Sequence, residues 1–124
     1  MNTNYTTEEK EQAVKAFKSS IRKCEKARTK LSEASPQRKW VDKQLNVFYI
    51  AVALIESELG EERRFSEPEL QNAADTISSL ITKCEPLMTK FKDGSPQKTL
   101  AVRRMKAFQM AAKLIAEELE VGYV

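Results

Sequence analysis

Residues 23–37 are KCEKARTKLSEASPQ, and residues 83–97 are KCEPLMTKFKDGSPQ. The two stretches lie 60 residues apart and share KCE, TK and SPQ at equal positions. Pairing positions 10–60 with 70–120 extends the similarity without a gap, and 17 of the 51 pairs are identical. Self-similarity at a fixed offset indicates a repeated supersecondary unit. The sequence therefore predicts one unit that occurs twice, at 10–60 and at 70–120.

Each unit is predicted to be a helical hairpin. Apolar residues before each Ser-Pro-Gln recur at steps of three and four, as on one face of a helix, and the spacing resumes behind it. Serine followed by proline starts helices well, because serine caps the first turn and proline suits the first helical position. Thr6 with Glu9 and Ser66 with Glu69 form capping boxes at the other two starts. Pro86 falls inside the third helix, where we predict a kink.

Short connections between such helices favour antiparallel neighbours. We therefore predict an all-α chain of one domain, 1–124, folded as an antiparallel up-down-up-down four-helix bundle of two duplicated helical hairpins. The linker between the hairpins is placed at about 60–65, after a second helix that ends near Gly60, and the third helix is placed as far as Gly94. The composition agrees, since only three glycines and four prolines suit long helices. A domain-swapped or two-chain bundle of the same hairpins is the alternative.

The composition also argues against most enzyme classes. Histidine is absent, which removes the commonest general base near neutral pH and the commonest transition-metal ligand. The sequence contains neither a glycine-rich phosphate loop nor a GxSxG motif. Cys24 and Cys84 lie on apolar helix faces, where structural thiols are inert. We therefore predict a non-enzymatic protein with no catalytic residue, no metal site and no cofactor.

The cell compartment is predicted from three features. No apolar run approaches the roughly 18 to 20 residues of a membrane-spanning helix. The first residues have neither the basic stretch nor the apolar stretch of a secretory signal. Two isolated cysteines without a CxxC motif favour free thiols over a disulfide. A cytoplasmic location is the resulting expectation.

Positive charge gathers around both predicted hairpin turns. Residues 22–43 hold eight basic and three acidic side chains, and residues 82–106 hold seven and two. In the predicted bundle both turns lie at the same end. Some of these cations are near helix C-termini, where they complement the macrodipole. The other cations lie in the first halves of the second and fourth helices. We predict that they bind an anion: Arg38, Lys39, Lys43, Lys98, Arg103, Arg104 and Lys106.

Several anionic partners are compatible with this basic end. The helix starts at 35–37 and 95–97 add free N–H groups, so phosphate, a nucleic-acid backbone, acidic lipid or an acidic protein are all candidates. No RRM, zinc-finger or KH signature is present, and Trp40 is predicted to pack at the bundle end. Nucleic acid therefore stays among the candidate partners. Ordinary solvated charge and helix capping by Ser-Pro-Gln form the alternative explanation.

A second surface is predicted from the differences between the two units. The outer stripe of the fourth helix is polar, whereas the matching stripe of the second helix is less so, and the third helix is more apolar than the first. A helix that is apolar on most sides is usually covered further. We predict that this surface contacts another protein, most simply in a homodimer, through Asn46, Tyr49, Ile50, Ala53, Leu80 and Leu87. One exposed tyrosine beside ordinary core leucines is the alternative.

These patterns favour a small, non-enzymatic interaction or regulatory module that self-associates. An anion-binding protein that uses the basic end of the bundle is the second hypothesis.

Overall fold

The computed structural model describes residues 5–56 and 65–121. Over these ranges the chain forms four helices and no strand: α1 (Thr7–Thr29), α2 (Pro36–Glu56), α3 (Glu67–Lys90) and α4 (Pro96–Val121). Helix α1 packs against α2 and α4, α3 packs against α4 and α2, and α2 also contacts α4. Over the described ranges, the backbones of α1 and α3 lie farther apart than those of any other pair of helices. The predicted all-α, four-helix architecture is confirmed.

Helices α1 and α3 begin with the predicted capping boxes. The Thr6 hydroxyl accepts a hydrogen bond from the Glu9 backbone N–H at 3.0 Å, and the Glu9 carboxylate accepts one from the Thr6 N–H at 2.8 Å. Ser66 and Glu69 repeat both bonds at 3.3 and 3.0 Å. Each box satisfies N–H groups that have no partner within the helix. Both helix starts are therefore fixed locally.

The two Ser-Pro-Gln segments start α2 and α4 in the same way. The Ser35 hydroxyl accepts a hydrogen bond from the Arg38 N–H at 3.0 Å, and the Ser95 hydroxyl accepts one from the Lys98 N–H at 3.1 Å. Each serine hydroxyl also donates to the carbonyl oxygen three residues earlier, at 2.9 and 2.7 Å. These bonds explain the repeated motif as a helix start.

The helix ends predicted from the sequence agree less well with the structure than the predicted helix starts do. Helix α3 ends at Lys90 and not near Gly94, which lies in the following turn with a φ of 85°, a conformation that glycine adopts without strain. The predicted end of α2 near Gly60 lies outside the described residues, as does most of the predicted linker. Helix α3 continues through Pro86, and the kink stays a prediction.

The core is centred on three phenylalanine rings. The Phe17 ring lies 5.6 Å from that of Phe48 and 5.9 Å from that of Phe108, between ring centroids. Phe48 and Phe108 are 60 positions apart and stack at 6.3 Å with 8° between their planes. Ile77, the counterpart of Phe17 in the second unit, is fully buried. Aromatic pairs of this kind contribute about 0.5 to 1.5 kcal/mol beyond their area burial.

Contacts between α1 and α2 run in opposite directions along the two helices. Arg28, near the end of α1, meets Asp42 in the first half of α2 with 2.8 Å between Nε and Oδ1, and the mid-helix Phe17 meets Phe48. The complete up-down-up-down order, the single domain and the duplication stay predictions. No helix in the described ranges has the length and apolar character needed to cross a membrane.

Candidate functional site

Two of the seven predicted anion-binding residues point back into the protein. The Arg38 guanidinium donates hydrogen bonds to the carbonyl oxygens of Arg28 at 3.2 Å and Leu31 at 3.0 Å. The Lys98 ammonium donates to the carbonyl oxygen of Met88. Both side chains thus close the C-terminal end of the preceding helix, where cations are favourable. Arg38 and Lys98 are structural residues of the hairpin turns.

Two acidic side chains near these turns, Asp42 and Asp93, form ion pairs. Asp42 forms its ion pair with Arg28 and also lies 3.6 Å from the Arg38 Nε, which is close enough for an ion pair but too far for a hydrogen bond. Asp93 pairs with the Lys98 ammonium at 3.1 Å. Neither α2 nor α4 has an acidic residue in its first turn. The carboxylates of Asp42 and Asp93 are therefore already engaged with Arg28, Arg38 and Lys98.

The other cations of α2 and α4 face solvent, with the exception of Arg104. Lys39, Lys43, Arg103 and Lys106 are exposed, and within the described ranges no carboxylate lies within ion-pair distance of them. Helix α4 has no acidic residue in its first 21 positions. Leu100, in the same segment, is 40% exposed, which is unusual for a large apolar side chain in this protein. Leu100 is not among the residues predicted from the sequence, although its counterpart Trp40 marks the position as apolar.

Trp40 packs against α3, in keeping with its predicted place at the bundle end. The ammonium of Lys83 lies over the indole ring, 4.6 Å from the ring centroid, and the tryptophan is half-buried. A cation in this position is attracted by the electron-rich face of the ring. One face of the indole is therefore already occupied.

Arg104 lines an open pocket of about 260 Å³ to which all four helices contribute. The stacked rings of Phe48 and Phe108 form its apolar floor, and Lys23 and Lys83 are the other cations along it. Lys23 and Lys83 are counterparts in the two units, as are the two phenylalanines. The pocket lies about two helical turns from the hairpin connections. It forms where the backbones of α1 and α3 are not in contact.

Both cysteines line this pocket as free thiols. Burial raises the pKa of Cys24 and of Cys84, and the positive charge of Arg104 opposes that shift at both thiols. The Cys84 thiol donates a weak hydrogen bond to the Ala101 carbonyl oxygen at 3.8 Å. Arg104 is thus close enough to influence both sulfur atoms, which stay protonated at neutral pH.

The predicted interface does not form one surface. The prediction that Ile50 is exposed is wrong, because its side chain is only 2% exposed and belongs to the core. Helix α2 contacts three other helices, so its buried arc is wide enough to include position 50. Leu80 and Leu87 are half-buried and line the pocket. The outer face of α2 retains the exposed Asn46 and Tyr49 and the half-buried Ala53.

Tyr49 is the most exposed large apolar side chain in the described ranges, at 48%. Its hydroxyl donates a hydrogen bond to the Glu25 carboxylate of α1 at 2.7 Å, which raises the pKa of Tyr49. The tyrosine thus has a polar partner within its own chain.

A metal centre finds no support in the described residues, where no three Cys, Asp or Glu side chains lie close enough to hold an ion. A comparison with protein-family models finds no match to the chain, and neither the curated proteins nor the solved structures give one. The function of the protein is therefore inferred from the chemistry of its own surface.

Proposed function

We propose that this chain is a non-enzymatic interaction module that binds an acidic partner protein through the first halves of α2 and α4. The observation that supports this proposal is a set of exposed cations without a carboxylate partner in the part of the chain that the structure describes, Lys39, Lys43, Arg103 and Lys106, together with the exposed Leu100 in the same part of α4. Protein interfaces commonly combine an apolar contact with a charged rim. This composition fits an acidic protein surface with an apolar site of its own.

The helix geometry adds to the attraction. The N-terminus of a helix carries a partial positive charge, which proteins usually complement with acidic residues. Helices α1 and α3 do so with two acidic residues each in the first turn, whereas α2 and α4 have none there. The excess positive charge costs folding energy and gains nothing within the chain. An acidic partner would neutralise it and would associate faster for that reason.

Two features favour a protein partner over single-stranded nucleic acid. Base stacking needs an accessible aromatic ring, and the aromatic ring in the first half of α2, that of Trp40, is half-buried beneath Lys83, whereas the exposed Tyr49 lies in the second half. The accessible apolar residue in the basic segment of α4 is Leu100, an aliphatic side chain that offers no stacking surface. Leu100 is better suited to an apolar contact with another protein.

The proposal can be tested with three anionic probes at low and high salt: polyglutamate, oligothymidylate and phosphatidylserine vesicles. We expect polyglutamate to bind most tightly and to lose at least about tenfold in affinity at high salt, because exposed charges are screened. The double variant Lys43→Glu with Arg103→Glu should abolish this binding. Lys15→Glu with Lys18→Glu is the control, since it changes the net charge equally at exposed positions of α1.

Three results would contradict the proposal. Equal losses in the two double variants would mean that only net charge matters. Tighter binding of oligothymidylate would indicate nucleic acid, and tighter binding of the vesicles would indicate a membrane surface. Circular dichroism of each variant verifies that the helices are retained.

Self-association is a second proposal, supported by the exposure of Tyr49 on the outer face of α2. Light scattering coupled to size exclusion tests it on the same samples. A dimer that persists at high salt and is lost in Tyr49→Lys would support it. A monomer at high concentration would contradict it.

A further inference from the structure

The pocket between the four helices is not used by the proposed interaction. Arg104 lines it, is only partly exposed, and has no hydrogen-bond acceptor or carboxylate partner within the described ranges. A guanidinium without a carboxylate partner can pair with an incoming anion. The pocket therefore offers an anion a charged group beside an apolar surface.

Apart from its three cations and from Ser20 and Gln44, the pocket is lined by apolar side chains and the two cysteines. The stacked rings of Phe48 and Phe108 form the floor, and Leu80 and Leu87 lie along the wall contributed by α3. A ligand that is only a small anion would leave these surfaces in contact with water. A ligand that is only a hydrocarbon would leave Arg104 unpaired. The lining matches a molecule that has both parts.

The volume limits how large the apolar part can be. A pocket of about 260 Å³ has room for about eight or nine groups the size of a water molecule, at about 30 Å³ each. Drug-sized ligands occupy pockets of roughly 300 to 1,000 Å³. A methylene group is similar in size to a water molecule, so a short to medium hydrocarbon chain fits and a long one would protrude.

We propose that this pocket binds a medium-chain carboxylate, with the hydrocarbon chain on the phenylalanine floor and the carboxylate paired with Arg104. A guanidinium can donate two parallel hydrogen bonds to a carboxylate, and Lys23 and Lys83 add positive charge along the pocket. Sites between the facing helices of a bundle are a common place for small ligands. The residues of this site are separate from those of the proposed protein interface, so either proposal can fail alone.

The chain provides two internal reporters of binding. Trp40 is its only tryptophan, and the Lys83 ammonium that lies over the indole also lines the pocket. A ligand that attracts Lys83 should therefore change the tryptophan fluorescence. Cys24 and Cys84 line the same pocket, so a bound ligand should slow their reaction with a thiol reagent.

The experiment titrates the protein with octanoate and follows both reporters. Octanol has the same chain without the charge, and acetate has the charge without the chain. We expect octanoate to bind at least about tenfold more tightly than either, which corresponds to about 1.4 kcal/mol. Octanoate should also protect both thiols. Equal binding of octanol and octanoate, or no signal from either reporter, would overturn the proposal.

Two variants test the two halves of the ligand. Arg104→Gln should reduce octanoate binding to the level of octanol, and glutamine already occupies the equivalent position 44. Leu80→Ser should weaken octanoate binding and leave acetate unaffected, and serine occupies the equivalent position 20. Arg103→Gln is the control, since this exposed neighbour does not line the pocket. Unchanged octanoate affinity in Arg104→Gln would show that the pocket does not recognise the carboxylate.

Discussion

Arg38 and Lys98 occupy equivalent positions in the two units, and these different side chains make the same kind of contact. They lie 60 positions apart, and each donates a hydrogen bond to a carbonyl oxygen ten residues earlier, of Arg28 and of Met88. The arginine reaches a second carbonyl oxygen, whereas the lysine pairs with a carboxylate. Both cations therefore contribute to the stability of the hairpin turns.

Arg38→Met should lower the free energy of unfolding by about 1.5 to 3 kcal/mol, since hydrogen bonds to charged groups contribute about that much. Methionine keeps an apolar stem in place of the arginine stem, so the loss reports on the two hydrogen bonds and on the ion pair with Asp42. Urea denaturation provides the measurement. Lys39→Met is the matched control, because Lys39 is exposed, and its effect should stay within about 0.5 kcal/mol. Equal effects at both positions would contradict the capping role.

Thr76→Val should raise the free energy of unfolding by about 1 kcal/mol, because a buried hydroxyl without a partner is costly. Thr76 is 2% exposed, and its Oγ1 has no hydrogen-bond partner among the residues that the structure describes. Thermal and urea denaturation both test this. The control is Thr82→Val, where the hydroxyl is exposed and donates to the Ser78 carbonyl oxygen at 3.1 Å, so no gain is expected. A loss of stability in Thr76→Val would mean that this hydroxyl has a partner in solution.

Arg104→Gln should slow the alkylation of both cysteines. The positive charge of Arg104 lowers the pKa of Cys24 and of Cys84 against the larger effect of burial, so its removal raises both pKa values further. The thiolate is the reactive form, and its fraction at about pH 8.5 falls as the pKa rises. Mass spectrometry after timed iodoacetamide treatment gives both rates. Arg103→Gln should leave them unchanged, and faster alkylation in Arg104→Gln would contradict the predicted sign.

For the helices, the sequence predicted best what a few neighbouring residues determine. The capping boxes at Thr6 and Ser66 and the starts at Ser35 and Ser95 depend on side chains within three positions, and all four are present. The buried faces depend on packing partners, which a single helical pattern does not contain. The pattern of α2 alone therefore predicts an exposed Ile50, whereas the packing of α2 against three helices buries it.

Pro86→Ala should raise the free energy of unfolding by about 1 to 3 kcal/mol, because proline inside a helix removes a backbone hydrogen bond and crowds the preceding turn. Helix α3 continues through this exposed position to Lys90, so alanine fits the same backbone. Urea denaturation measures the change, with Glu85→Ala at the exposed neighbouring position as control. A loss of stability would mean that proline stabilises more by restricting the unfolded chain.

For the bundle as a whole, the sequence predicts a basic end, but it does not predict which of the cations turn inward, which stay exposed and which line the pocket. Arg38 and Lys98 turn inward, Lys39 stays exposed, and Arg104 lines the pocket, although all four have similar charge and sequence context. The pocket itself needs all four helices in place and a gap between α1 and α3. Helical periodicity describes each helix alone, so it could not reveal a space that the helices enclose together.

The residues at equivalent positions around the pocket are not all the same, so the pocket is not strictly twofold symmetric. If one hairpin paired with an identical copy, both members of each equivalent pair would have to be the same residue. A single chain that carries both units is free of that constraint. Phe48 and Phe108 are the same, whereas Gln44 faces the pocket from one unit and Arg104 from the other. The pocket therefore carries one more positive charge on the side of α4 than on the side of α2, and a ligand with two unlike ends can enter it in one preferred orientation, which a perfectly twofold pocket could not impose.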